Sequence, residues 1–190
     1  MEPVRRSLDW RSASGVQRGF EQTAITLDDT GFVAVGHVVS EWPDPFELYY
    51  RIEADERWRT RFVSVAETTT GRSVVLTATP EGRWRNVDDA RLLRHLDGAL
   101  DVDISATPLS NTLPVRRLGL EVGRSADVVT AYIEVPSLRV TADPQRYTRL
   151  LPGVYRYESL DSDFRADVTV DDEGFVLDYP GLFTRSGLPA

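Results

Sequence analysis

Between Asp101 and Arg117 the chain gathers two carboxylates, several hydroxyls, an amide and two guanidinium groups within seventeen residues. Asp101 and Asp103 are spaced two apart, so on an extended strand they share one face about 7 Å apart, with Val102 and Ile104 on the other. Paired carboxylates at that spacing suit acid/base work on a sugar or ester. They equally suit a closed ionic network with Arg116 and Arg117, in which the guanidinium groups keep buried carboxylates charged. Thr107-Pro108 and Leu113-Pro114 fix the backbone at two points. Ser110, Asn111 and Thr112 lie between them, where short polar side chains either bond to nearby backbone or present hydroxyl and amide groups to a polyol. The residue types leave these alternatives open.

Most catalytic apparatus is excluded by what the chain lacks. There is no cysteine, hence no disulfide, thiolate metal site or thiol nucleophile. His37 and His95 are the two histidines; the first falls in an apolar strand and the second in a short helical pattern, as packed or surface residues do. No G-x-S-x-G elbow, glycine-rich phosphate loop or H-E-x-x-H pair occurs. No catalytic residue, cofactor or metal is therefore assigned. The formal charge of -8 opposes phosphate backbones and argues against a nucleic-acid partner. All 22 basic residues are arginine, scattered along the chain as a compositional bias would scatter them. The opening residues show no export signal and no run is apolar enough to span a bilayer, so a cytoplasmic protein is expected.

The elements that must position the polar segment are strands. Phe46, Leu48, Tyr50 and Ile52 alternate with Glu47, Tyr49, Arg51 and Glu53, and Trp58 to Val65 reads as a strand with two partly apolar faces. Further strands are expected at 20–27, 32–39, 72–78, 127–135, 138–141, 154–158, 164–170 and 175–179, separated by turns such as Asp28 to Gly31 and Asp171 to Gly174. The pattern predicts one mainly β domain over residues 1–190, an antiparallel meander that curls or closes to hide its edges. One or two short helices are expected: Val87 to Leu96, ending at Gly98, and Pro144 to Leu151, with Asp143 as its N-cap. The aromatics Trp10, Trp42, Trp58, Trp84, Tyr49, Tyr50, Tyr132, Tyr155, Tyr157 and Tyr179 either pack the core or line a ligand cavity.

The run Asp101-Val102-Asp103-Ile104, followed by Thr107-Pro108-Leu109-Ser110-Asn111-Thr112-Leu113-Pro114-Val115-Arg116-Arg117-Leu118, resembles the central signature of the putative glycolipid-binding family. Leu109-Ser110 stands where Phe-Thr is usual. Flanking agreement comes from Tyr50-Arg51-Ile52, Trp58 to Arg61, Gly82-Arg83-Trp84, Tyr132 to Pro136, Gln145-Arg146-Tyr147 and Gly174 to Pro180. The resemblance implies a spiral β-roll, half-barrel-like and similar in shape to bacterial lipoprotein carriers. It also implies a non-catalytic protein that holds a glycolipid or similar amphiphile in an apolar cavity, with a polar loop at the mouth. On that reading Asp101, Asp103, Asn111, Thr112, Arg116 and Arg117 contact the ligand. The competing expectations are a structural module whose polar loop only pins the roll closed, and a hydrolase of sugar or lipid esters.

Overall fold

The computed structural model describes residues 2–12, 18–42 and 45–187, with Arg18 and Trp42 described by backbone alone. The Trp42 side chain, named among the aromatics, thus lies outside the described residues. The strands are β1 Val4–Ser12, β2 Arg18–Asp28, β3 Gly31–Trp42, β4 Phe46–Asp55, β5 Thr60–Glu67, β6 Arg72–Ala78, β7 Trp84–Asn86, β8 Asp101–Ile104, β9 Ser125–Glu134, β10 Arg139–Leu151, β11 Val154–Ser159, β12 Arg165–Val170, β13 Val176–Tyr179 and β14 Phe183–Arg185. Among the described residues the one α-helix, α1, spans Thr112–Leu118. All the strands join one mainly antiparallel sheet, ordered β7-β6-β5-β4-β3-β2-β1-β14-β13-β12-β11-β10-β9-β8. The first strand pairs with the last in the middle of the sheet, and β7 and β8 form its two open ends.

Alternation along each strand sets the inner face. Ile25, Ala34, Ile52, Val63 and Leu76 stand directly opposite one another on β2 to β6. All five are essentially inaccessible to solvent. The far end of the sheet is tucked against this face. On β8 and β9, Val102, Ile104, Ala131 and Ile133 join the same core as Ile52 and Val63, while Asp101 and Thr130 are buried on the opposite side. A strand pair buried on both faces means that the sheet winds over itself. The unpaired edge of β8 is covered by β5: Thr60 N donates to Leu100 O at 2.8 Å, and Val102 N donates to Thr60 Oγ1 at 3.0 Å. These bonds hide an edge that would otherwise invite pairing with another chain.

Several sequence expectations are corrected. Strand β8 runs parallel to β9 instead of continuing the meander. A parallel pair needs a crossover, and residues 105–124 with α1 supply it. The helix expected at Pro144 to Leu151 is the second half of β10. Pro144 is tolerated there because its missing N–H faces Leu160, just beyond the last paired residue of β11, while its carbonyl still accepts from Leu160 N. The helix expected from Val87 shrinks to one 3-10 turn at Arg94–Leu96. Asn86 and Asp89 accept from Asp88 N and Arg91 N, so side chains offer the backbone turns in place of helical bonds. Conversely, the run read as irregular holds α1, with Pro114 in its first turn and Gly119 capping its end in a left-handed conformation. Strands β1, β7 and β14 were not anticipated.

Candidate functional site

The six residues singled out in the polar segment fall into four separate places. Asp101, fully buried on β8, meets a guanidinium fork from α1: Arg117 Nε donates to Oδ1 at 2.9 Å and Nη2 to Oδ2 at 2.6 Å. Burial pushes the Asp101 carboxyl up, against the pull of Arg117. Asp103 has no arginine. Its oxygens accept from Ser110 Oγ at 2.9 Å and Gln145 Nε2 at 2.7 Å, and burial pushes its carboxyl up to about 6. The same Gln145 nitrogen donates to Asp143 Oδ2 at 2.6 Å, and Asn111 Nδ2 donates to the Tyr147 hydroxyl at 2.8 Å. Thr112 is fully buried at the start of α1, with no partner for Oγ1 among the described residues. Arg116 points away from both aspartates. Its guanidinium lies 4.6 Å from the centre of the Trp58 ring and donates to Glu173 O at 3.0 Å. The segment thus ties α1 to β8 through Arg117, and to the β4–β5 and β12–β13 turns through Arg116.

A cavity of about 270 Å³ lies elsewhere, in the slot between the outer turn of the sheet and the chain leaving β8. Its walls include Trp10, Val38, Phe46, Ala106, Val135 and Phe183, with hydroxyls from Ser12, Ser40 and Ser105. Among the described residues that line it, Glu21 is the one ionisable side chain. None of the six residues above lines it, although Ser105 and Ala106 belong to the same segment.

Glu21 occupies a core position on β2, between Trp10 of β1 and Val38 of β3, and is 1% exposed. Thr23 Oγ1, Tyr50 OH and Thr107 Oγ1 donate to its Oε1 at 2.8, 2.5 and 2.7 Å. Oε2 is buried and has no partner among the described residues. Tyr50 belongs to β4 and reaches Glu21 by crossing β3 at Gly36, its direct neighbour in the ladder. A Cβ at Gly36 would stand 2.2 Å from the ring, so only glycine leaves room for that crossing. Thr107 is held in turn: Leu109 N donates to its Oγ1 at 3.0 Å, and Pro108 begins the 3-10 turn that it caps. Burial, only partly offset by the three hydroxyls, pushes Glu21 up from 4.5 to about 7. A carboxyl near neutrality with one oxygen unpaired can accept a proton or a ligand's hydrogen-bond donor.

Sequence reasoning passed over Glu21, although a signal was present. Glu21 and Thr23 share parity with Ile25 and so place a charge on the apolar face of β2. Neither histidine reaches the cavity: His37 stacks on Tyr49 at 4.4 Å and bonds Glu47, and exposed His95 approaches Val140 O. Among the described residues no group of three or more His, Cys, Asp or Glu side chains is arranged to hold a metal ion. No helix there is long and apolar enough to cross a membrane.

The comparisons with known proteins agree with this architecture. The chain superimposes on the crystal structure of a DUF1089 family protein from Pseudomonas aeruginosa with a TM-score of 0.77 and 38% identity. The alignment covers 93% of this chain and 95% of that one. No curated protein matches. Residues 7–185 match the family described as putative glycolipid-binding, which is nearly the whole chain and includes both the Glu21 cavity and the 101–117 segment. The chain belongs to that putative glycolipid-binding family.

Proposed function

We propose that the protein is a non-catalytic binder of a glycolipid or similar amphiphile, which places its apolar part in the slot and its polar end at Glu21. The observation that carries this reading is the pairing of an apolar-walled cavity with a buried carboxylate whose Oε2 lacks a partner among the described residues. Ligand sites are typically apolar hollows with a few convergent polar groups, and span roughly 300 to 1,000 Å³. At about 270 Å³ the slot suits one short chain or the inner end of a longer one, not two acyl chains. The family description points to the same ligand class.

In this reading Glu21, Ser105 and Ala106 face the ligand. Asp101, Asp103, Asn111, Thr112, Arg116 and Arg117 stand behind them and hold the segment that carries Thr107. The structural reading of the polar loop is therefore part of the binding reading, and the Asp101–Arg117 fork is what favours it. Native mass spectrometry of freshly purified protein, followed by lipid extraction, tests the proposal. A mass shift that extraction removes and identifies as an amphiphile supports it; a clean unliganded mass, together with no uptake of an added alkyl glycoside, contradicts it.

A further inference from the structure

Glu21 constrains what the polar end of the ligand is. Its three protein partners all donate to Oε1, which leaves Oε2 as the acceptor available within the cavity. Among the described residues no cationic side chain lines the cavity. The residues contributed by β1, β3 and β14, namely Trp10, Ser12, Val38, Val39, Ser40 and Phe183, are uncharged, as are Ser105, Ala106, Thr107 and Val135. Tyr50, from β4, is the other titratable group against Glu21; burial raises its phenol well above its ordinary range, so it stays a neutral donor. An ionised carboxylate in such surroundings lacks the fourth donor, or the cation, that would complete its solvation.

We infer that the ligand supplies this group: Glu21 Oε2 accepts a hydroxyl or ammonium donor from the polar end of the amphiphile, and the ligand selects the ionised carboxylate. The inference rests on the amphiphile reading above and adds the chemistry of the head and a proton linkage. Where Glu21 is protonated before binding, its proton passes to solvent as the donor arrives. Because Glu21 changes charge near pH 7, affinity for a donor head rises with pH across neutrality. An acceptor head such as a carboxylate behaves in the opposite way, since it needs the protonated form.

The test is calorimetric titration with three probes that share one alkyl chain, all below micelle formation: octyl glucoside, octylamine and octanoate. Measurements are made at about pH 5.5 and about pH 8.5, in two buffers of different ionisation enthalpy. The expected result is that octyl glucoside, octylamine or both bind about tenfold or more tightly at the higher pH, with proton release near neutrality. Glu21→Gln, which puts an amide donor in place of the free acceptor, is expected to remove the pH dependence and weaken binding at the higher pH by a similar factor. The wild-type pH profile carries the test if that variant folds poorly. Binding of octyl glucoside and octylamine that is equal at both pH values for each, or octanoate favoured at the higher pH, overturns the inference while leaving the amphiphile reading in place. Binding of none of the three overturns both.

Discussion

Two carboxylates are almost wholly shielded from water: Glu21 on β2, on the inner face of the sheet, and Asp101 on β8, on the face opposite Val102 and Ile104. Asp101 faces a guanidinium fork that engages both of its oxygens. Glu21 faces three hydroxyls crowded on one oxygen, and the other oxygen has no partner among the described residues. Asp101 is packed under α1 and lines no described cavity, whereas Glu21 lines one of about 270 Å³. Equal burial thus conceals opposite situations. A charge whose partners are all supplied by the fold stabilises that arrangement once formed. A charge left one partner short is a cost that the fold carries, and such costs collect where ligands bind.

The largest effect should come from unpairing Asp101. Arg117→Ala strands a buried carboxylate and is expected to cost about 3 to 5 kcal/mol, read as a lower urea midpoint at unchanged slope. Replacing both partners by leucine should recover most of that loss, because no charge is then left buried. A loss below about 1 kcal/mol for Arg117→Ala would remove one side of the comparison. Next in size is Gly36→Ala. The added Cβ collides with the Tyr50 ring and is expected to cost about 1 to 3 kcal/mol, while displacing the phenol from Glu21. A crystal structure of that variant with Tyr50 unmoved would show that the crossing is not what holds the carboxylate. The smallest change is Tyr147→Phe, which deletes the acceptor of Asn111 and should cost about 1 kcal/mol by thermal unfolding. A cost several times larger would mean that the Asn111–Tyr147–Gln145 chain carries more of the fold than the Arg117 fork allows.

The frame of the molecule was legible because period-two alternation is strong where one face is buried: Leu48, Tyr50 and Ile52 point inward as their spacing requires. It failed where tertiary context overrides local signals. Pro144 after Asp143 looks like a helix start, yet the end of the β11 ladder leaves a place for proline inside β10. Strand β1 shows little alternation because only Leu8 and Trp10 are buried in it. For the site, the polar segment was visible by its density, and the Asp101–Arg117 contact was among the alternatives. The partition of Arg116 and Asp103 into different networks depends on which way α1 turns its side chains, which spacing in an unrecognised helix cannot reveal. Glu21 was overlooked because its partners are distant in sequence. Tyr50 lies on another strand and Thr107 in a loop 86 residues away, so its meaning emerges only when the sheet rolls.

The difference between the two carboxylates is tested most directly by the stability of wild type and Glu21→Gln across pH. Glu21 has a folded-state value of about 7 against an ordinary 4.5, so the stability it contributes is fully present below the ordinary value and is lost as pH rises through 7. Relative to Glu21→Gln, wild type is therefore predicted to lose roughly 3 kcal/mol between about pH 4.5 and about pH 8.5. A difference between the two proteins that stays flat over that range, or that turns in favour of wild type as pH rises, would contradict the claim that Glu21 is held without its full set of partners.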